Sequence, residues 1–179
     1  MDGTIVGLIS NEDAQELYEI CRNITIPLQK FKRLPDGTST RGGRSNMFGD
    51  HRAALLGYTI ARFKPRSIGP QLSAFSIKQP KLYDCLVKLS QKYFPEHNWK
   101  TIQLNHNVTC SPHLDRKNNG PSIIFALGDY TGSNLCIENT EGTKEINICN
   151  TIVMFDGSLY KHWNTPLLSP DKYSFVFYA

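Results

Sequence analysis

The apolar positions of the chain change period near its middle. Ahead of Trp99, two segments repeat at helical spacing. In the first, Ala14, Leu17, Tyr18 and Cys21 form one apolar stripe, and Ser10 stands as the N-cap with Asp13 three residues on. In the second, Leu82, Cys85, Leu86, Leu89 and Tyr93 recur at the same spacing, with Pro80 suited to the first turn and Pro95 as the stop. A short strand over 4–9 precedes the first helix. After Trp99 come the segments 101–107, 122–127, 134–138, 144–149, 151–155 and 172–178. They are short, rich in Ile, Val, Phe, Tyr and Thr, and separated by Gly, Asn, Asp and Pro. Many short strands without intervening helices predict a sandwich or jelly roll rather than alternating β-α units. The expected architecture is therefore mainly β with flanking helices. It is one domain over 1–179, with 1–98 as a helical and basic support region and 99–179 as the β-rich core, a sandwich or jelly roll.

Composition narrows the class. With 179 residues, 40% hydrophobic and 20% charged, the chain is one ordinary domain that buries roughly 70% of its unfolded surface without needing disulfides or a structural metal. Extensive disorder is excluded by the normal apolar content and small net charge. The longest apolar stretches, such as Ile123 to Leu127 and Ile152 to Phe155, fall far short of the ~20 residues of a membrane-spanning helix. The start, Met1-Asp2-Gly3, lacks the basic and apolar regions of a signal peptide. Five cysteines, an odd number with no C-x-x-C pair, read as free thiols in a reducing compartment, cytoplasmic or nuclear. The oligomeric state is left open.

The formal charge of +4 conceals a strong asymmetry. Residues 1–29 carry −4, residues 30–66 carry +7, and residues 67–179 carry +1. The middle segment is interrupted by Gly42, Gly43, Gly49 and Gly57, as in a loop-rich surface able to follow phosphates. A solvated basic face without a partner would have the same composition.

Candidate chemistry lies in the β-rich half, at Cys110-Ser111-Pro112-His113-Leu114-Asp115. In an extended segment residues i and i+2 share a face, so His113 and Asp115 can converge on one ion. His162, beyond the strand 151–155 and the turn Asp156-Gly157, is available as a third ligand. Two imidazoles and one carboxylate on one face of a metal leave open positions for Fe(II) oxygen chemistry. The H-x-D triplet alone says little, since with five His and nine Asp roughly 0.25 such triplets arise by chance. Context strengthens it. Ten residues beyond His162, Lys172 opens a strand on which Lys172, Ser174, Val176 and Tyr178 face one way and Tyr173, Phe175 and Phe177 the other. A cation and a hydroxyl inside a barrel suit the distal carboxylate of a dicarboxylate, because an unpaired buried ammonium is expensive. The alternative is a solvent-facing Lys172 paired with Asp171.

The stretch from Ile102 to Leu135, followed by V-M-F-D-G-S-L-Y-K-H-W-N-T-P and D-K-Y-S-F-V-F-Y, resembles the Fe(II)/2-oxoglutarate dioxygenases. Among these it is most similar to the TET/JBP-type nucleic-acid base oxygenases. The likeness covers 99–179 well and 41–60 more loosely, through R-G-G-R-S-N-M-F-G. It implies a double-stranded β-helix (jelly-roll, cupin-like) core, with His113, Asp115 and His162 as ligands of Fe(II). It further implies Lys172 and Ser174 on the far carboxylate of 2-oxoglutarate, with Asn105 and Asn107 near that cosubstrate, and O2 as oxidant. The expected reaction is hydroxylation of the methyl group of 5-methylcytosine or thymine in nucleic acid, DNA before RNA, with succinate and CO2 as coproducts. Arg41, Arg44 and Arg52 are the candidate phosphate contacts, and Phe48 the candidate for stacking on a base. A 2-oxoglutarate-dependent prolyl or other side-chain hydroxylase of proteins is the competing expectation, and a non-catalytic metal-binding jelly roll the third. Two departures stand out: Lys172 where Arg is commoner in this branch, and Ser133 where the family often has a second Gly.

Overall fold

The computed structural model describes residues 1–29, 51–60 and 68–179. In chain order the elements are β1 (Asp2–Leu8), α1 (Asn11–Arg22), β2 (Leu28–Gln29), β3 (His51–Thr59), β4 (Gln71–Leu72), α2 (Ala74–Lys78) and α3 (Pro80–Tyr93). There follow β5 (Thr101–His106), β6 (Ser122–Leu127), β7 (Thr131–Gly132), β8 (Leu135–Asn139) and β9 (Gly142–Ile146). The chain closes with β10 (Thr151–Phe155), β11 (His162–Asn164), β12 (Leu167–Ser169) and β13 (Tyr173–Tyr178).

The two long helices form where the spacing predicts, for the expected reasons. Ser10 Oγ accepts the Asp13 N–H at 3.1 Å and caps α1, while Pro80 opens α3 at a position where its missing N–H costs nothing. Their apolar stripes, Ala14, Leu17, Ile20 and Cys21 on α1 and Leu82, Leu86 and Leu89 on α3, are buried. Lys92 Nζ and Tyr93 Oη both donate to Asp13, at 2.7 and 2.5 Å, and tie the helices together. Among the described residues no helix is long and apolar enough to cross a membrane.

The strands form two layers. The major sheet runs β1-β10-β6-β13-β5-β3-β2, with β4 on β3, and its neighbours pair antiparallel. The second layer is the sheet β11-β8-β9 with the pair β12-β7 beside it. Central strand β6 is buried along its whole length. Ile123, Phe125 and Leu127 pack toward the helices, and Ile124 and Ala126 pack toward the second layer with Leu135, Ile137, Val153 and Phe155. Phe177 meets Phe94 and Trp99 edge-on at ring separations of 4.9 and 5.2 Å, locking the helical layer onto the sheet.

Residues 1–98 do more than support the core from outside. Strand β1 pairs with β10 and strand β3 pairs with β5, so the amino-terminal half supplies strands to the major sheet itself. Gly57 makes the β3 pairing possible. Its φ is +83°, and a Cβ there would lie 2.4 Å from the Lys100 carbonyl oxygen.

Candidate active site

Strand β5 ends at His106, and Asn107 turns the chain with φ +53° into an irregular crossing segment. That segment is pinned extended beside β11. His113 and His162 exchange two backbone hydrogen bonds at 3.1 Å, and the Asp115 N–H donates to the Gly157 carbonyl at 2.8 Å. These bonds bring His113, Asp115 and His162 together, with one ligand atom of each within 4.8 Å of the others. His162 Nε2 lies 3.2 Å from Asp115 Oδ2, and His113 Nε2 lies 3.7 Å from Asp115 Oδ1. Each imidazole is oriented by the carbonyl two residues before it. His113 Nδ1 donates to Ser111 at 2.6 Å and His162 Nδ1 to Tyr160 at 2.9 Å. A carbonyl only accepts, so Nδ1 carries a proton in both rings and Nε2 is the atom that each ring turns toward the cluster. Two imidazoles ligating through Nε2 and a carboxylate suit a divalent first-row metal with positions to spare. The donor set therefore fits Fe(II).

Lys172 is 2% exposed. Its Nζ donates to the carbonyl and the hydroxyl of Ser133, at 2.9 and 2.7 Å, and lies 5.5 Å above the Tyr130 ring. Among the described residues no carboxylate pairs with it, so the solvent-facing arrangement with Asp171 is not what forms; Asp171 pairs with His106 instead. Burial pushes the ammonium down to about 8. An ammonium held this way fits an anion such as a carboxylate of 2-oxoglutarate. Ser133 adopts a left-handed backbone, with φ +54°, and is fully buried. Its side chain is part of the lysine cradle.

A cavity of about 530 Å³ joins the His-Asp-His cluster to this lysine. Lys172, Ser174, Val176 and Tyr178 all line it, while Tyr173, Phe175 and Phe177 lie in the core against the helices. Asn105 lines it too, 8% exposed, and accepts a 2.8 Å hydrogen bond from Gln103, 6% exposed. Asn107 does not line it. Its Oδ1 accepts the Lys172 N–H at 2.7 Å and its own N–H donates to the Lys172 carbonyl at 2.8 Å, so it braces the lysine backbone. Arg52 also lies elsewhere, its guanidinium donating to the Ile26 carbonyl at 2.7 Å. Arg41, Arg44 and Phe48 lie outside the described residues.

Sequence reasoning missed several lining and supporting groups. Gln103 shares the face of Asn105 by strand alternation, and that signal was present. Arg116 and Lys117 follow Asp115 directly and line the same cavity, concealed by the near-neutral charge of 67–179. Gly157 supports the cluster by having no side chain, which no spacing pattern reveals. Among the described residues no disulfide forms between the five cysteines.

No protein-family model matches the chain, and no curated protein matches its sequence. Solved structures do match it. An oxidoreductase of the 2OG-Fe(II) oxygenase family from Burkholderia pseudomallei superposes with a TM-score of 0.62 at 11% identity, covering 99% of this chain and 84% of that one. NgTET1 in complex with 5mC DNA matches with a TM-score of 0.58 at 15% identity, over 96% of this chain and 69% of that one. A prolyl hydroxylase from Trichoplax adhaerens, in complex with a hypoxia inducible factor peptide fragment, matches with a TM-score of 0.57 at 12% identity, over 99% and 83%. Likeness at such low identity is a matter of architecture, and on that ground the chain has the jelly-roll fold of the 2OG-Fe(II) oxygenases.

Proposed function

We propose that this protein is an Fe(II)- and 2-oxoglutarate-dependent dioxygenase that hydroxylates the methyl group of a pyrimidine base, 5-methylcytosine or thymine, in nucleic acid. The observation that carries the enzymatic part is the buried ammonium of Lys172 on the same cavity as the His-Asp-His cluster. A structural metal site needs no such cation, and a dicarboxylate cosubstrate does. His113 and His162 would hold the metal through Nε2 and Asp115 through a carboxylate oxygen, with Lys172 and Ser174 taking the distal carboxylate of 2-oxoglutarate. The bound iron and cosubstrate supply the oxidising chemistry, consuming O2 and releasing succinate and CO2. Ser111 and Tyr160 keep the imidazoles in the ligating tautomer. Ser133 and Asn107 fix the lysine head and its backbone. Ile124, Leu135 and Val176 give the cavity apolar walls that limit water around the reacting C–H bond.

The substrate reading rests on the +7 segment over 30–66 and on the likeness to NgTET1. Arg41, Arg44, Arg52 and Phe48 remain the sequence candidates for substrate contact, with Arg52 acting from outside the cavity. A target base in a duplex has to leave the stack before its methyl group can enter. The likeness to prolyl hydroxylases supports a second reading, hydroxylation of a protein side chain. Nucleoside mass spectrometry separates the two, after incubation of the protein with methylated and unmodified DNA and RNA, Fe(II), 2-oxoglutarate and ascorbate. The expected product is a hydroxymethylpyrimidine, absent with His113→Ala or Asp115→Ala. Succinate formed only with a peptide pool would transfer the assignment to the protein hydroxylases. Succinate from neither pool would end the enzymatic reading.

A further inference from the structure

Strand β13, with Lys172 just ahead of it, forms one long wall of the cavity that ends at Tyr178. Six residue steps of strand span about 20 Å, longer than a five-carbon dicarboxylate. With the cosubstrate at the Lys172 end, the remainder of the wall belongs to the substrate. The far end is held as a platform. The Asn118 N–H donates to the Asp115 carbonyl at 3.0 Å, closing a tight turn, and the Asn119 N–H donates to the Ala179 carbonyl at 2.7 Å, fastening that turn to the end of β13. The two residues inside the turn are Arg116 and Lys117. Both are exposed, both line the cavity, and among the described residues neither forms an ion pair. Of the described side chains on the cavity wall Asp115 is the sole acidic one, and its charge is committed to the metal cluster.

We propose that Arg116 and Lys117 form an anion-binding lip that takes the phosphates on either side of the nucleotide whose base enters the cavity. This deepens the nucleic-acid reading above and rests on it. The chemistry favours a phosphodiester: a guanidinium offers a planar fork to phosphate oxygens, and an ammonium beside it offers a mobile point charge. The turn next to a metal ligand fixes the distance from lip to reacting centre, so the lip also registers the strand. Grip on the substrate then comes from the mouth of the cavity itself, in addition to any contribution of the +7 segment.

The test is binding of a short single-stranded oligonucleotide carrying 5-methylcytosine to the full chain loaded with Mn(II) and 2-oxoglutarate under anaerobic conditions, followed by anisotropy over a salt series. For the double variant Arg116→Gln/Lys117→Gln, the slope of log K against log salt should shrink by about 1.4, since each phosphate no longer neutralised on a single strand is worth about 0.7. The charge-preserving swap Arg116→Lys/Lys117→Arg should keep the wild-type slope. An unchanged slope in the double Gln variant, at a wild-type melting temperature, overturns the lip alone. No binding of any oligonucleotide by the wild type overturns the nucleic-acid reading and the lip together. An acidic peptide that the double variant alone loses, while the oligonucleotide is kept, replaces the phosphate by a carboxylate partner and likewise overturns the proposal.

Discussion

A methyl group added at Gly157 would lie 3.0 Å from Cε1 of His162, 3.2 Å from the Phe155 ring and 3.3 Å from Oδ2 of Asp115. Two of those neighbours are the proposed ligands, and the third is packed in the core between the sheets. Gly157→Ala should therefore leave the fold intact and weaken metal binding by about 10–100-fold, the scale of a disturbed ligand support. Titration with Co(II), read by its visible spectrum, checks this, and wild-type affinity would show that the turn absorbs the methyl. Lys172 gives a second expectation. Its pKa falls from 10.5 in the unfolded chain to about 8 in the folded protein because of burial. Between those values the unfolded chain binds the proton and the folded protein does not, so stability rises with pH across that window and the buried charge remains a cost below it. Cosubstrate capture runs the other way, since only the ammonium pairs with a carboxylate. KM for 2-oxoglutarate should be flat below about pH 8 and then climb up to tenfold per unit, while kcat at saturating cosubstrate changes little. A KM that stays flat to about pH 9 would remove Lys172 from that role. At this scale the His-Asp-His cluster and the buried lysine were legible because each is a reactive residue at a telling interval. The parts played by Gly157 and Ser133 were not, because one is an absent side chain and the other a hydroxyl and carbonyl brought to Lys172 from 39 residues away by a left-handed turn.

Among the elements, β13 was the most legible. Its alternation put Lys172, Ser174, Val176 and Tyr178 on one face, and that face lines the cavity while Phe175 and Phe177 meet the helical layer. The period-2 rule works here because the strand is central and its two faces meet different surroundings. Strand β3 was missed for the opposite reason. Its Ala53-Ala54-Leu55-Leu56 core lacks alternation and suits a helix, and its pairing with β5 depends on the close approach of Gly57 to the Lys100 carbonyl. Strand β11, at three residues, is too short to announce itself, although it carries His162. The two faces of β13 should respond differently to truncation. Phe175 is fully buried and stacks on Phe125 at 5.2 Å, so Phe175→Ala should cost about 3–5 kcal/mol. Val176→Ala removes less buried surface and opens the cavity, so about 1 kcal/mol is expected, with a change in KM as its main effect. Urea unfolding of the two variants distinguishes them, and equal losses would contradict the two-faced assignment.

On the scale of the whole molecule, the metal cluster joins parts that the chain places far apart. His113 and Asp115 sit on the segment that leaves β5 of the major sheet, and His162 sits on β11 of the second layer. Without an ion, two backbone bonds between His113 and His162, one from Asp115 to Gly157 and a reciprocal pair between Cys110 and Asn164 hold this junction. An ion there adds three bonds between the layers, and they are made only in the folded state, so its binding free energy appears as stability. At a hundredfold excess over Kd that is ~2.7 kcal/mol, which for a chain of this size raises the melting temperature by about 5–10 °C. Mn(II) should produce this shift, EDTA should reverse it, and Asp115→Asn should remove most of it. The comparison with Asp115→Asn decides what the shift means. The exposed acids of β8 and β9 and their hairpin, Glu138, Glu141 and Glu145, also attract divalent ions, but weakly and with no link to the junction. If Asp115→Asn retains the whole shift, the stabilising ion lies elsewhere and the cluster does not clamp the layers. If the shift disappears, the residues proposed to hold the metal for catalysis also hold the two sheets together.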